Sequence, residues 1–587
     1  MLSEKVGMSL DIQVMASDAP IFGRSPDVHG RVVNGIVDLD LVKEWLQICG
    51  RHHKDACETV WWRDGDERLP ESVRMVDVDA LSIVPAPPSC RYIALSYVWG
   101  GVGEEYQSMQ ANIVHRMTPG GLDLGILPAT ITDAIELCRR LGERWLWIDA
   151  LCIVQDDRTD VDVQIGVMEL IYGTAFLTIF AAGGHNAHAG LPGLRERTRA
   201  KKQHMEMIQD VHLAVPLPTL GAVLTQSVWG TRGWTYQELM LSRRRLYFTE
   251  HQVYFECGQE VWCEDVLAES NRTPRSYHPL RYTGGGSFTT LKAPRGHTGN
   301  QLTSGYTSVI GQYTQRILTN ETDTVNAVSA LTNAFTKAFK LGGSVPSRAF
   351  RFGMALADLD HAVLWQPAQS VLLTRRNILG QAPWPSWSWA GWRGPVEYRV
   401  PWSTALGHPI VVESLVHSWY ICEHGTLAKL DVRAIAGVGF PEEGSRKRYV
   451  PPSERTDPEQ APHASEGDLV FRTTAATFKA QRIDGVQVNE DARYEVFAIL
   501  PAAGRIYLPR STRSPSDLRL ITLSRCNAVA GLYDTQVYGD MYSGGCFLNV
   551  MAVQESEQRK LERIGIGIIF EQAWIEANPS EEQVCLG

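Results

Sequence analysis

Long apolar runs are missing from this 587-residue sequence. Nothing approaches the about 18 consecutive apolar residues of a membrane-spanning helix, and the longest candidate, Phe176–Ala182, is strand-sized. An excess of positive charge is missing too. The formal net charge is −10, so neither a nucleic-acid backbone nor an anionic membrane is expected as the main partner. The first stretch carries Glu4, Asp11 and Asp18 and no sustained apolar core, unlike a secretory leader. Eleven cysteines form no CxxC pair and no regular framework, the pattern of reduced thiols in a cytoplasmic or nuclear protein; cytoplasmic residence is the expectation. Cys422-Glu423-His424 comes nearest to a metal tract but has no partner cluster, so no metal is expected. There is no GxGxxG or Walker pattern and no internal repeat.

What is present suits a globular protein: 44% hydrophobic and 21% charged residues can bury a substantial core. The chain divides by pattern into an N-terminal extension (1–84), an α/β module (85–262), a helical and aromatic-rich region (263–440), a linker (441–467) and a β-rich C-terminal region (468–587). Pro, Glu, Ser and basic residues mark the linker. Residues 266–300 are Gly-, Pro- and Arg-rich and read as a mobile insertion.

The α/β module has the clearest pattern. A strand at Arg91–Gly101 ends in a glycine turn. A helix follows, with Thr130 and Asp133 as its capping pair, apolar residues Ile131, Ala134, Ile135, Cys138 and Leu141, and Gly142 as its stop. A second strand covers Trp145–Asp149 and a second helix Val163–Tyr172. A third strand, Phe176–Ala182, stops at Gly183-Gly184. Near-continuous apolar strands alternating with helices predict a parallel sheet with helices on its faces. Ligands of such sheets bind at the strands' carboxyl ends, here Ser96–Gly101, Asp149–Asp157 and Gly183-Gly184.

Three segments together resemble the fungal heterokaryon-incompatibility (HET) domain. They are Tyr92-Ile-Ala-Leu-Ser-Tyr-Val-Trp-Gly100, then Leu127-Pro-Ala-Thr-Ile-Thr-Asp-Ala-Ile with Trp147-Ile-Asp-Ala-Leu-Cys-Ile-Val-Gln-Asp156, and finally Arg232-Gly-Trp-Thr-Tyr-Gln-Glu238. Pro385-Ser-Trp-Ser-Trp389 is similar to a segment found downstream in such proteins. The resemblance implies a cell-death effector in fungal self/non-self recognition, working with itself or with an allelic or non-allelic incompatibility partner. HET domains are in turn similar to TIR domains, which implies a TIR-like (flavodoxin-like) sheet with an appended helical and β-rich C-terminal region. Some TIR domains cleave NAD with a glutamate four residues after a tryptophan, the spacing of Trp234 and Glu238. NAD would be a substrate, and no resident cofactor is implied.

Each candidate residue has two readings. Glu238 is either the catalytic carboxylate or an ion-pair partner of Arg232 or Arg243 that orders its turn. Asp149 either contacts a ribose hydroxyl or caps the following turn, and Gln155 is a candidate contact to an amide or phosphate. Ser96, Trp99 and Gly100 either let backbone N–H groups approach a phosphate or make a plain tight turn. Trp234 is the indole beside Glu238 on one helix face. Cys152 is either a small buried hydrophobe or, with His185, a thiol hydrolase dyad. His185 and His188 read as exposed loop residues. Trp387 and Trp389 are expected on one strand face packed against the α/β module, with Trp384 and Trp392 beside them, and Arg243-Arg244-Arg245 as a helix-end charge feature. Three functions follow: an NAD glycohydrolase, a self-assembling signalling module without chemistry, and a Cys-dependent hydrolase.

Overall fold

The computed structural model describes residues 12–24, 29–60, 62, 68–101, 103–199, 202–269, 299–339, 349–368, 373–377, 384–398, 412–432, 449–451, 457–458, 461, 463–483, 494–500, 503–509, 517–526, 547–556 and 558–587. Most of the insertion at 266–300 and much of the linker at 441–467 lie outside them. Two compact units result, residues 1–293 with 326–334, and 294–325 with 335–587.

An eight-stranded sheet forms the first unit. In chain order its strands are β1 (Arg74–Asp77), β2 (Ser82–Pro85), β3 (Tyr92–Ser96), β4 (Trp145–Trp147), β5 (Leu177–Ala181), β6 (Arg244–Phe248), β7 (Val253–Cys257) and β8 (Val261–Cys263). Across the sheet they run β8-β7-β6-β5-β3-β4-β1-β2. The four middle strands are parallel, with Ile93 opposite both Leu146 and Leu177, and Leu246 opposite Ile179. Every residue of β3, β5 and β6 is buried, which explains why these segments show no polar alternation. The chain lays β4 on one side of β3 and β5 on the other, so its winding reverses at β3. Antiparallel hairpins finish both edges, β1–β2 beyond β4 and β7–β8 beyond β6. Residues up to 84, set apart in the sequence as an extension, thus supply β1 and most of β2.

The helices follow the strands as expected, with corrections of detail. Helix α1 (Leu39–Ile48) is capped by Asp38, whose carboxylate accepts from the N–H groups of Asp40 and Leu41 at 3.0 and 3.1 Å. It buries Leu39, Val42 and Trp45. Helix α2 (Ala129–Arg140) is entered through Pro128, so Thr130 and Asp133 are not its cap. Both are buried inside it, where Thr130 Oγ1 accepts from the Gly190 N–H at 3.1 Å and Asp133 Oδ2 from the Leu191 N–H at 2.8 Å. They fasten the loop after β5 to the helix. Gly142, with φ of +82°, turns the chain towards β4. The second predicted helix is two, α3 (Arg158–Ile165) and α4 (Met168–Thr174), and α5 (Trp234–Leu241) precedes β6.

Arg244 and Arg245 are not a helix-end feature. They lie in β6, 1% and 4% exposed, and each has a carboxylate partner: Glu58 for Arg244, Glu256 at 3.3 Å for Arg245. Buried guanidinium groups need such pairing.

The second unit is built on a ten-stranded, almost wholly antiparallel sheet. Its longest strand, Leu469–Arg482, pairs with Tyr494–Leu500, Asp517–Cys526 and Ser580–Leu586. Phe497, Ile499, Ile506, Leu520, Leu548, Val550 and Trp574 share one core. The expected strand through Trp387 and Trp389 is instead a turn, with Ser388 capping a 3-10 helix at Trp389–Gly391. The two indoles pack within their own unit, Trp387 edge-on to Phe352 and Trp389 edge-on to Tyr313. Among the described residues no helix is long and apolar enough to cross a membrane.

In the first unit's core, Trp229 is fully buried, edge-on to Phe180 at 5.1 Å and to Tyr247 at 6.4 Å. Trp229→Ala should therefore destabilise this unit by about 3–5 kcal/mol, read as a lower urea midpoint with an unchanged slope.

Candidate functional site at the sheet rim

The carboxyl ends of β3, β4 and β5 meet three loops, and five of the predicted residues sit on the first two. Ser96 closes β3 with its side chain inward, accepting from the Trp229 indole N–H at 2.8 Å. That hydroxyl is committed to the core. Trp99, half-buried, donates its indole N–H to Asp149 Oδ2 at 2.9 Å. The loops after β3 and β4, 50 residues apart in sequence, are joined by this bond.

Gly100 has φ of +75°, and a Cβ there would stand 2.2 Å from Asn186 Cβ. Glycine is needed because the third loop presses on the first, and the close approach serves loop packing. Gln155 turns back on its own segment, donating to the carbonyls of Asp149 at 3.0 Å and Ile153 at 3.2 Å.

Asp149 is the electrostatic centre of the rim. It opens a one-turn helix, Asp149–Cys152, with Oδ1 accepting from the Ala150 N–H at 2.7 Å. Burial raises its pKa to about 6, although the Ala150 N–H, the Trp99 indole, Arg232 and the Tyr97 hydroxyl all favour the carboxylate. Desolvation wins because the carboxylate is walled in while part of the residue still reaches solvent. Tyr106 lies close enough to feel the same negative charge, and its phenol is pushed up to about 12, chiefly by burial.

Helix α5 brings the last segment to this rim. Arg232, just before it, donates to the Tyr97 carbonyl at 3.0 Å, and Thr235 donates to the carbonyls of Trp229 and Arg232 at 2.8 and 2.9 Å. Trp234 begins the helix and is half-buried; Glu238, one turn later, is 6% exposed. Tyr172 feels both carboxylates, while its hydroxyl donates to the Leu95 carbonyl at 3.3 Å. Burial raises its phenol well above the usual range, and the charges of Glu238 and Asp149 raise it further. Arg243, the other partner considered for Glu238, pairs with Glu58 at 3.5 Å and donates to the carbonyls of Thr174 and Ala175.

The thiol reading does not fit the geometry. Cys152 is fully buried, accepts from the Ile148 N–H at 3.5 Å, and burial pushes its thiol up to about 12. His185 and His188 are both exposed on the third loop. A nucleophilic cysteine needs the opposite setting, a stabilised thiolate within reach of substrate. Cys422 is buried while His424 is exposed, so that tract does not gather into a site.

Sequence reasoning missed Trp229, which holds Ser96, and three buried tyrosines: Tyr97 and Tyr106, which feel the Asp149 charge, and Tyr172, which feels both Asp149 and Glu238. Of these only Tyr97 lies within a quoted motif, and burial is what sets the others apart. It also missed a second group of chemically able side chains, Cys49, His53, Cys57 and Cys257.

Residues 92–238 match the family model described as Heterokaryon incompatibility protein (HET). The chain is also similar to "Heterokaryon incompatibility protein 6, OR allele" of Neurospora crassa, at 31% identity over 109 residues. That match covers 17% of this chain and 15% of the relative. No solved structure matches the chain.

The raised pKa of Asp149 has a stability consequence of definite sign. An acid whose folded pKa exceeds its unfolded value adds stability below the unfolded pKa, near 3.8, and loses it as pH rises through about 6. Asn at this position keeps an acceptor for the Trp99 indole and does not titrate. Between pH 4 and pH 7 the native protein should therefore lose stability relative to Asp149→Asn, by at most about 3 kcal/mol. Paired urea melts across that window check it, and parallel pH profiles would contradict it.

Proposed function

With a HET domain at residues 92–238, we propose that the chain is an effector of heterokaryon incompatibility whose rim cleaves NAD at its nicotinamide–ribose bond. The cellular role is drawn from the family match. The chemistry rests on one placement: Trp234 and Glu238 occupy one face of α5, with Glu238 and Asp149 both acting on Tyr172. The order of the parallel strands, with the chain reversing at β3, is that of doubly wound, flavodoxin-like sheets and supports a TIR-like reading.

The reaction asks little of the protein. Nicotinamide leaves as a neutral molecule from a bond that is already cationic, so no general acid is needed. Water adds to the ribose carbon that is left, releasing a proton and giving ADP-ribose. Glu238 would steady the oxocarbenium-like transition state or hold the ribose hydroxyls, in a setting where low polarity strengthens the attraction between its carboxylate and the developing positive charge.

A second reading has an observation in its favour. Glu238 is only 6% exposed, and the contact of Gly100 with Asn186 closes the first rim loop against the third. A domain that signals by assembling with itself or with an incompatibility partner needs no open rim.

The two readings separate on NAD levels in cells expressing the full chain beside Glu238→Gln at matched protein level. Loss of NAD and cell death with the native chain, both abolished by the near-isosteric change, is the expected result. Death with NAD intact in both would remove the glycohydrolase and leave assembly.

A further inference from the structure

Away from the rim, Cys49, His53, Cys57 and Cys257 place three sulfurs and one imidazole nitrogen together, every pair within 4.8 Å. The four residues are 0%, 8%, 2% and 3% exposed. We propose that they form a closed structural zinc site of the Cys3His class, which fastens the N-terminal helical segment to the edge of the sheet.

The distances suit zinc. With sulfur held at about 2.3 Å and nitrogen at about 2.0 Å, a tetrahedral site sets its ligand atoms about 3.5–3.8 Å apart. His53 Nδ1 lies 3.3 Å from Cys257 Sγ. The thiols are not paired as disulfides. Three thiolates and a neutral imidazole select zinc over calcium or magnesium, which prefer oxygen, and four protein ligands leave no open position for catalysis.

The backbone is shaped to gather these side chains. Helix α1 widens at its end into a π-helical turn, Cys49–His53, that carries the first two ligands. Such turns are rare outside special sites. Lys54 then takes φ of +37° with ψ of −125°, a costly conformation for a residue other than glycine, and reverses the chain into the short helix Asp55–Glu58 that carries Cys57. Cys257 comes from the far side as the last residue of β7.

The surroundings are those of metal ligands rather than of thiols packed as ordinary small hydrophobes. While His53 Nδ1 faces the sulfurs, its Nε2 stands 3.5 Å from Glu260 Oε2, the carboxylate–histidine arrangement that fixes a ligand's tautomer. The Trp262 ring stacks on the imidazole at 5.9 Å between centroids and 5° between planes. N–H groups point at two of the sulfurs, Arg244 Nε at Cys49 Sγ (3.2 Å) and the Glu260 N–H at Cys257 Sγ (3.4 Å). Three thiolates around a dication leave one net negative charge, and Arg243 and Arg244 together, sharing the single carboxylate of Glu58, supply one net positive charge beside it.

Metal analysis of the full chain, purified without chelator, tests the proposal. About one zinc per chain is expected, and Cys57→Ser or Cys257→Ser should remove it. Cys138→Ser, a buried thiol on α2 outside the group, should keep it. Should the ligand variants fail to fold, cobalt in place of zinc in the native chain decides, giving the intense visible bands of a tetrahedral thiolate site. A folded native chain without zinc that takes up no tetrahedral cobalt would overturn the proposal. So would a disulfide joining any two of Cys49, Cys57 and Cys257 in non-reducing mass spectrometry.

Discussion

Strands β3 and β5 are covered on both faces, and that double burial governs the first unit. Side chains such as Leu95 and Ile179 have no water to face on either side of the sheet. Helices must therefore lie against both faces, and the crossovers between parallel strands must be long enough to hold them. Polar chemistry has one place left to collect, the loops at the strands' carboxyl ends. The Trp99–Asp149 bond follows from that geometry. The raised pKa of Asp149 is the cost of placing a carboxylate beside such a dry core.

Much of this was readable because double burial leaves a plain mark on sequence. Apolar runs bounded by glycine located β3, β4 and β5 to within a few residues, and helical spacing found α2. What escaped the reading depends on partners distant along the chain. Arg244 and Arg245 looked like surface charge until Glu58 and Glu256 lay beside them. Thr130 and Asp133 have the residue types of a cap, and the loop at Gly190 and Leu191 claims them instead. The edge hairpin of β1 and β2 lies in a segment whose pattern gave no strand signal.

The candidate site shows the same division. Trp99 and Asp149 were named as rim residues and are hydrogen-bonded to each other there, while Trp234 and Glu238, named from motif spacing, share one face of α5. Ser96 and Gly100 were named as well, but their side chain and backbone serve packing. Cys49, His53 and Cys57 follow each other at four-residue intervals, a signal visible in sequence, while the fourth member stands 204 residues from His53. A local search for metal motifs ends before it reaches Cys257.

The family match runs from 92 to 238, and the sheet does not. A fragment cut at those limits would keep β3, β4 and β5 and lose the hairpins on either side, together with β6. Three short parallel strands would then present two unpaired edges, each a template for another copy of itself. The stretch the family model matches is smaller than the body that folds, so clumping by such a fragment would reflect its raw borders rather than any signalling assembly.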